Sequence, residues 1–283
     1  MVKLSPRRTL YRLGRALYRA ARGDVANDMG SNGELLLQRK VIEAWGKIEK
    51  STDRLVVFDV GANVGKWSAE LVERCTDHNI KSAIELYVFE PPPSTFDLLK
   101  KKLRGSPSVI HYEQLALSSE NSKGFIYVSR LSHGINSLHA DPGRADEQRI
   151  PVMKTTVSDF CKNHNIKNIH MLKCDAEGHD MEIIRGAMEL LISGSIAVLQ
   201  FEYNHRWVFF RNFLRDVFIA VEKLPYKVAK LQPDHLVILP EWHPELEKFF
   251  EGNYALIRAD AVYWFPTKTV LFDRYNTMEI IDN

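Results

Sequence analysis

The stretch Leu55 to Cys75, LVVFDVGANVGKWSAELVERC, constrains this chain more than any other. Leu55 to Val60 is a short apolar run rich in β-branched residues, which suits a strand buried on both faces of a parallel sheet. Gly61-Ala62-Asn63-Val64-Gly65 then turns the chain, and Trp67, Leu71 and Val72 recur at helical spacing behind it. A strand, a glycine-bearing turn and a helix form the corner of an open α/β sheet where ligands bind, outside the carboxyl ends of the strands. Gly61 and Gly65 free the backbone to turn and leave room for a ligand. Asn63 lies between them, and Asp59 at the strand tip offers a carboxylate as acceptor.

The spacing narrows the ligand. A dinucleotide site carries G-x-G-x-x-G, with three glycines around the pyrophosphate. Here Asp59-x-Gly61-x-Asn63-x-Gly65 lacks the middle glycine and sets an acid before the turn. A pyrophosphate beside Asp59 is unfavourable, whereas an ammonium or sulfonium fits. This counts against a nicotinamide oxidoreductase, and the bland alternative is a turn that binds nothing.

Four more apolar runs repeat the pattern. Ile84 to Phe89 is a second strand ending in Glu90, stopped by Pro91-Pro92-Pro93, with a helix predicted over Ser94 to Leu103. Glu90 stands 29 residues after Gly61, where an acid accepts from the ribose of a bound nucleoside. Val109 to Gln114 reads as a third strand, and Lys123 to Ser129 and Ile150 to Thr156 as further ones. The polar stretch 130–149 lies between these last two; its Ser132, His133, Asn136, Ser137 and His139 can line a substrate entrance.

Ile169 to Cys174 is the fourth buried run, and Asp175-Ala176-Glu177-Gly178-His179-Asp180 breaks out of it into a helix predicted over Met181 to Ile192. Asp175 or Glu177 suits a general base or a hard-metal ligand, and His179 a base near neutral pH. Helix capping by either acid is the structural alternative. Ile196 to Phe201 is the fifth run and ends in Glu202. Asp59, Glu90, Asp175 and Glu202 therefore bring four acids to one rim, where they repel unless a cation, a metal or a hydrogen-bond network sits among them. Beyond this, Trp207 to Leu224 reads as an aromatic-rich helix. Tyr226 to Leu231 and His235 to Leu239 read as an antiparallel pair closing the sheet, and the tail from Glu241 carries little signal.

The first 22 residues differ in kind, with seven Lys or Arg and no acid. The rest of the chain holds 31 basic and 36 acidic residues, a formal −5 against +2 for the whole. Leu10, Leu13, Leu17 and Ala20 or Ala21 share one helical face. That pattern suits a helix on an anionic membrane surface or an acidic partner, and arginines interrupt any secretory apolar core. Gly23 to Gly33 reads as a linker and Glu34 to Lys50 as a covering helix. With 283 residues the chain can form one large α/β domain with extensions. The near-neutral net charge argues against a nucleic-acid binder. Cys75, Cys161 and Cys174 have no pairing or metal spacing, so a reducing cytoplasm is expected, with peripheral attachment to the inner face of a membrane through residues 1–22.

These residues resemble the FkbM-type methyltransferases. The matching stretches are FDVGANVGKWS (58–68), FEPPPSTFDLL (89–99), ALS (116–118) and KCDAEGHDMEIIRGA (173–187), followed by the strand ending in Glu202. Asp180 stands where the family usually has glutamate, and Pro92 is added to the second stretch. The resemblance covers about residues 55 to 205. It implies a Rossmann-like class I methyltransferase fold: a mostly parallel, doubly wound sheet with an antiparallel final strand, plus the N-terminal helical extension. The expected division is 1–50 extension, 51–260 catalytic domain and 261–283 tail.

The activity implied is transfer of a methyl group from S-adenosylmethionine to a hydroxyl oxygen of a sugar or glycan. Asp59, Gly61, Asn63, Gly65, Glu90, Pro91, Ala116 and Ser137 form the expected cofactor set, with Ala116 near the adenine. Asp175 is the first choice for the base, His179 the second, with Glu177 and Glu202 beside them. A magnesium or manganese ion on Asp175, Glu177 or Glu202 is the alternative means of activating the hydroxyl. An RNA methyltransferase, and a glycan- or membrane-binding protein that kept the fold without turnover, are the rival readings.

Overall fold

Apolar strands with no polar face must be covered on both sides, and the chain does this by alternating strand and helix. The computed structural model describes residues 5–48, 54–78, 80, 83–106, 108–129, 136–140 and 146–281. Two helices, α1 (Pro6–Ala21) and α2 (Glu34–Ile48), precede the first strand, β1 (Leu55–Val60). Then come α3 (Lys66–Asp77), β2 (Ile84–Phe89), α4 (Pro93–Lys102) and β3 (Val109–Glu113). Three strands leave the main sheet: β4 (Ala116–Leu117), β5 (Ser122–Ser129) and β6 (Glu147–Thr155). The chain returns through α5 (Val157–Asn163) to β7 (Ile169–Cys174), α6 (Asp180–Gly186), α7 (Met188–Ile192) and β8 (Ile196–Tyr203). Helix α8 (Leu214–Val221) leads to β9 (Tyr226–Leu231), β10 (Leu236–Leu239), β11 (Gly252–Arg258), β12 (Thr267–Phe272) and β13 (Met278–Ile281).

Among the described residues the main sheet has the order β13-β12-β10-β9-β11-β8-β7-β1-β2-β3. The run β3-β2-β1-β7-β8 is parallel throughout, and β11 lies antiparallel to both of its neighbours, β8 and β9. The order reverses between β1 and β7, so their carboxyl ends open a crevice at the switch point. The sheet is mostly parallel at its core with an antiparallel close, as the sequence predicts. Strands β4, β5 and β6 form a separate small sheet that stands over the carboxyl ends.

Each face of the sheet carries its own core. Phe58, Leu172, Leu199 and Phe201 pack with Phe160, Ile184 and Val217 on one side. Val57, Leu86, Met171 and Val198 pack with Ile42, Trp45 and Leu71 on the other. The three cysteines are buried and unpaired.

Three elements depart from expectation. Tyr226–Leu231 and Leu236–Leu239 do pair antiparallel, but the strand beside β8 is β11, from the tail that carried little signal. The predicted helix 181–192 is interrupted at Ala187, which has φ −98° and ψ 0°; just before it Gly186 packs bare against the Ser118 carbonyl, 2.0 Å from where a Cβ would stand. The predicted helix 207–224 is a 3-10 segment, His205–Phe210, ended by Arg211 at φ 57°, followed by α8.

Candidate active site

The turn after β1 is built by its own backbone. The N–H groups of Gly61 and Ala62 both donate to the Phe89 carbonyl, at 3.0 and 3.1 Å, and the Gly65 N–H donates to Ala62 at 2.8 Å. Gly61, Asn63 and Gly65 all have positive φ, at 76°, 50° and 80°. A Cβ on Gly61 would meet the Asp175 carbonyl at 2.0 Å, and one on Gly65 would meet Leu99 at 2.7 Å. So at these two positions it is the protein that closes onto the bare backbone, where the sequence reading has glycine clearing space for a ligand. Gly61 and Asn63 still line the cleft above.

Glu90 is where β2 delivers it. Its carboxylate accepts the Asn63 N–H at 2.8 Å and the Thr95 hydroxyl from the first turn of α4. It is buried, and burial pushes its carboxyl up to about 7 against the two hydrogen bonds. Each oxygen has one protein donor, so each keeps a lone pair for a ligand. Pro91 lies beside it on the cleft wall.

Asp59 is fully buried and its side chain lies beneath the cleft, not in its lining. It accepts from the Ser68 hydroxyl at 2.6 Å. Strand register explains its other partner: Asp59 on β1 is opposite Lys173 on β7, which is opposite Gln200 on β8. Directly paired residues project to the same face, so the Lys173 ammonium sits 3.3 Å from Asp59 and 3.4 Å from Asp175. Burial disfavours that charge, but Asp59, Asp175 and Glu34 outweigh it and hold the ammonium protonated well above its usual range. Lys173 is the cation that the crowded rim requires. It lies in a motif stretch, yet no spacing signals its role, since a lysine inside an apolar run can be read only once the register is known.

The segment after β7 divides its residues. Asp175 stays partly exposed at the rim, its N–H bonded to Val60 at 3.0 Å. Glu177, at φ 54°, lines the cleft and is ion-paired with Arg206. His179 turns behind the wall: it is buried, packs on Phe210, and its Nε2 is 3.0 Å from the Ser118 hydroxyl. Burial lowers it to about 4, so it is neutral near pH 7. Asp180 is fully buried and accepts the Glu202 N–H at 3.2 Å.

Glu202 closes the rim. Its two oxygens accept the side-chain amides of Asn27 and Asn204, at 2.5 and 2.6 Å. Burial, with Asp175 and Asp180 nearby, raises its carboxyl well above the usual range. The proposed metal ligands do not converge: Glu177 is taken by Arg206 and Glu202 by two amide donors. Among the described residues no three His, Cys, Asp or Glu groups are placed to hold a metal ion, so no step is assigned to one.

The opposite wall is apolar. Leu115, Ala116, Leu117, Ile126 and Leu138 face the cleft beneath the small sheet. Ser137 is buried and does not line the cleft; its hydroxyl donates to the Glu177 carbonyl at 3.0 Å, tying the polar loop to the segment after β7. Its neighbour Asn136 does face in, with a buried amide nitrogen that has no hydrogen-bond partner. His139 packs on Phe209 and Phe210, and Ser132 and His133 lie outside the described residues.

The cleft so formed measures about 540 Å³, within the range of small-molecule sites. A nucleoside fits its donor set: an acid with free lone pairs at the β2 tip, an apolar strip alongside, and buried unpartnered polar atoms on Asn63 and Asn136. The stretch predicted as a linker supplies the far wall through Asn27 and Met29, joined by Glu34 at the start of α2. Asn27 also accepts from Asn253 of β11 at 3.2 Å. No sequence signal marked the Asn27–Asn253 contact, which spans 226 positions.

The strand order, with its switch-point cleft and its acids at the tips of β1, β2, β7 and β8, is that of a class I methyltransferase. A family model described as the methyltransferase FkbM domain matches residues 59–242. The chain belongs to this family. The hexuronic acid methyltransferase AglP of Haloferax volcanii is 24% identical over 154 residues, 54% of this chain and 58% of that protein. The chain therefore matches little more than half the length of that relative. Among solved structures, an O-methyltransferase from Bacillus cereus in complex with SAH is 10% identical, with a TM-score of 0.41, covering 90% of this chain and 93% of that one. A TehB-like SAM-dependent methyltransferase from Corynebacterium glutamicum is 11% identical, with a TM-score of 0.36, covering 90% and 100%. The fold assignment rests on the strand order and the family match.

Proposed function

We propose that the protein is an S-adenosylmethionine-dependent methyltransferase acting on a hydroxyl oxygen of a sugar in a glycan or glycolipid. The observation that carries the cofactor reading is Glu90, buried at the β2 tip, clamped by Asn63 and Thr95, with lone pairs left for two ribose hydroxyls. The apolar strip from Leu115 to Leu117 suits an adenine face. The sugar acceptor is supported by the relative AglP, a hexuronic acid methyltransferase, and by the polar, carboxylate-lined end of the cleft.

S-adenosylmethionine, when bound, supplies an electrophilic methyl carbon. The chain's own work is to align an acceptor hydroxyl with it and to take the hydroxyl proton. Asp175 is the residue for the proton: it is the rim carboxylate that is partly exposed, and Lys173 at 3.4 Å steadies it. Glu202, held by one amide donor on each oxygen, has lone pairs left to accept from a second sugar hydroxyl in this reading. In this reading residues 51–260 carry the reaction and the segment before them closes the cleft.

Calorimetry with S-adenosylmethionine and S-adenosylhomocysteine tests the proposal. Wild type should bind both, and Glu90→Ala should bind about ten- to a hundredfold more weakly, the loss of a charged hydrogen bond of about 1.5–3 kcal/mol. A folded wild type that binds neither overturns it and leaves a binding protein that kept the fold.

A further inference from the structure

Helix α1 poses a problem that the rest of the molecule does not. It runs for 16 residues, yet none of its side chains is buried. Leu10, Leu13 and Leu17 are 70, 55 and 63% exposed, and at 3.6 residues per turn they form one stripe. An amphipathic helix of a folded domain normally turns that stripe to the core. Here the opposite side is the one held by the body. Tyr18 donates to Glu245 at 2.6 Å and packs on Phe250, over which Arg15 and Arg19 also lie. The apolar stripe therefore points away from the protein.

We propose that α1 lies in the surface of an anionic lipid bilayer, with the leucine stripe in the headgroup–acyl boundary and the positive charge of the helix drawing it to the anionic headgroups. The occupant follows from charge: the helix has five arginines and no acid, while the chain beyond residue 22 is net acidic. A polar helix with a strong apolar stripe and a basic flank is the pattern of an interfacial helix, and a cluster of this size is attracted to anionic lipid. No helix among the described residues is long and apolar enough to cross a membrane, so the contact is with the surface.

The attachment is coupled to the cleft. Arg22, which ends α1, pairs with Asp24 at 3.1 Å and donates to the Glu245 carbonyl at 2.6 Å; Asp24 pairs with Lys230. Three residues further on, Asn27 donates to Glu202 in the cleft. A helix fixed to lipid thus presents the carboxylate end of the cleft at a short, rigid distance from the bilayer. Resting on the functional proposal above, this narrows the acceptor to a sugar carried on a lipid.

The test uses the full chain in sedimentation with vesicles of phosphatidylcholine alone or mixed with phosphatidylglycerol. The wild type should bind the mixed vesicles, release them at high salt and ignore phosphatidylcholine. The triple variant Leu10→Gln, Leu13→Gln, Leu17→Gln should lose at least about tenfold in binding while keeping its affinity for S-adenosylhomocysteine. Vesicle binding that the triple variant retains, or its absence in a wild type that binds S-adenosylhomocysteine, overturns the inference and leaves the methyltransferase reading intact. Self-association through the leucine stripe, or binding to RNA that the triple variant loses in place of vesicle binding, also overturns it.

Discussion

The Asn27 amide donates to the Glu202 carboxylate at 2.5 Å, joining the segment after α1 to the tip of β8 across 175 positions of sequence. Glu202 is buried, and a buried carboxylate stripped of a donor bears its full desolvation cost. Asn27→Ala should therefore destabilise the protein by about 1–3 kcal/mol, read by urea unfolding. Affinity for S-adenosylhomocysteine should fall far less than in Glu90→Ala. Unchanged stability would mean that the segment does not hold Glu202.

Lys173 lies between two acids, one of them fully buried. Removing one member of such a pair costs about 3–5 kcal/mol, because the remaining charge is left without compensation. Lys173→Met should lose that much in denaturant unfolding, and adding Asp59→Asn should recover part of it. Two additive losses would show that the groups act independently.

The raised carboxyl of Glu90, at about 7, predicts a pH dependence of cofactor binding. The ionised form is the acceptor for two ribose hydroxyls, so affinity should rise with pH through the folded value. From pH 6 to pH 8 the gain is about tenfold if binding needs that form. Calorimetry at the two pH values measures it, and Glu90→Gln should flatten the profile.

Asp180 makes the matching statement about stability. Burial raises its carboxyl from 3.8 to about 7, so the native state holds a proton that the unfolded chain has released. Its contribution is present below pH 3.8 and is lost as pH rises toward 7. Asp180→Asn cannot ionise, so its melting temperature should vary less than that of wild type between pH 4 and pH 8. Parallel curves for the two proteins would refute the assignment.

Gly61→Ala places a methyl group against the Asp175 carbonyl at a residue with φ of 76°. Steric overlap and left-handed strain together should cost about 2–4 kcal/mol. Chemical denaturation measures this directly, and a neutral substitution would mean that the turn can shift.

What the sequence determined by itself is the sheet's parallel half and the acids at its tips. Each of the runs at 55, 84, 169 and 196 is apolar on both faces, and only a strand covered on both sides satisfies that pattern. A side chain ending such a run falls at the carboxyl edge whatever the rest does, so Asp59, Glu90, Asp175 and Glu202 were legible. Local pattern carries no information about partners distant in sequence, and there the tertiary structure decided. Strand register put Lys173 opposite Asp59, and the close pass of the 175–178 segment made Gly61 a packing position. Burial turned His179 into a neutral residue behind the cleft wall. Insertion of β11 between β8 and β9 set Asn253 beneath Asn27. Spacing along the chain reports periodicity and burial, whereas pairing across a sheet, the charge state of a buried group and the wall that a loop completes depend on what folding brings alongside.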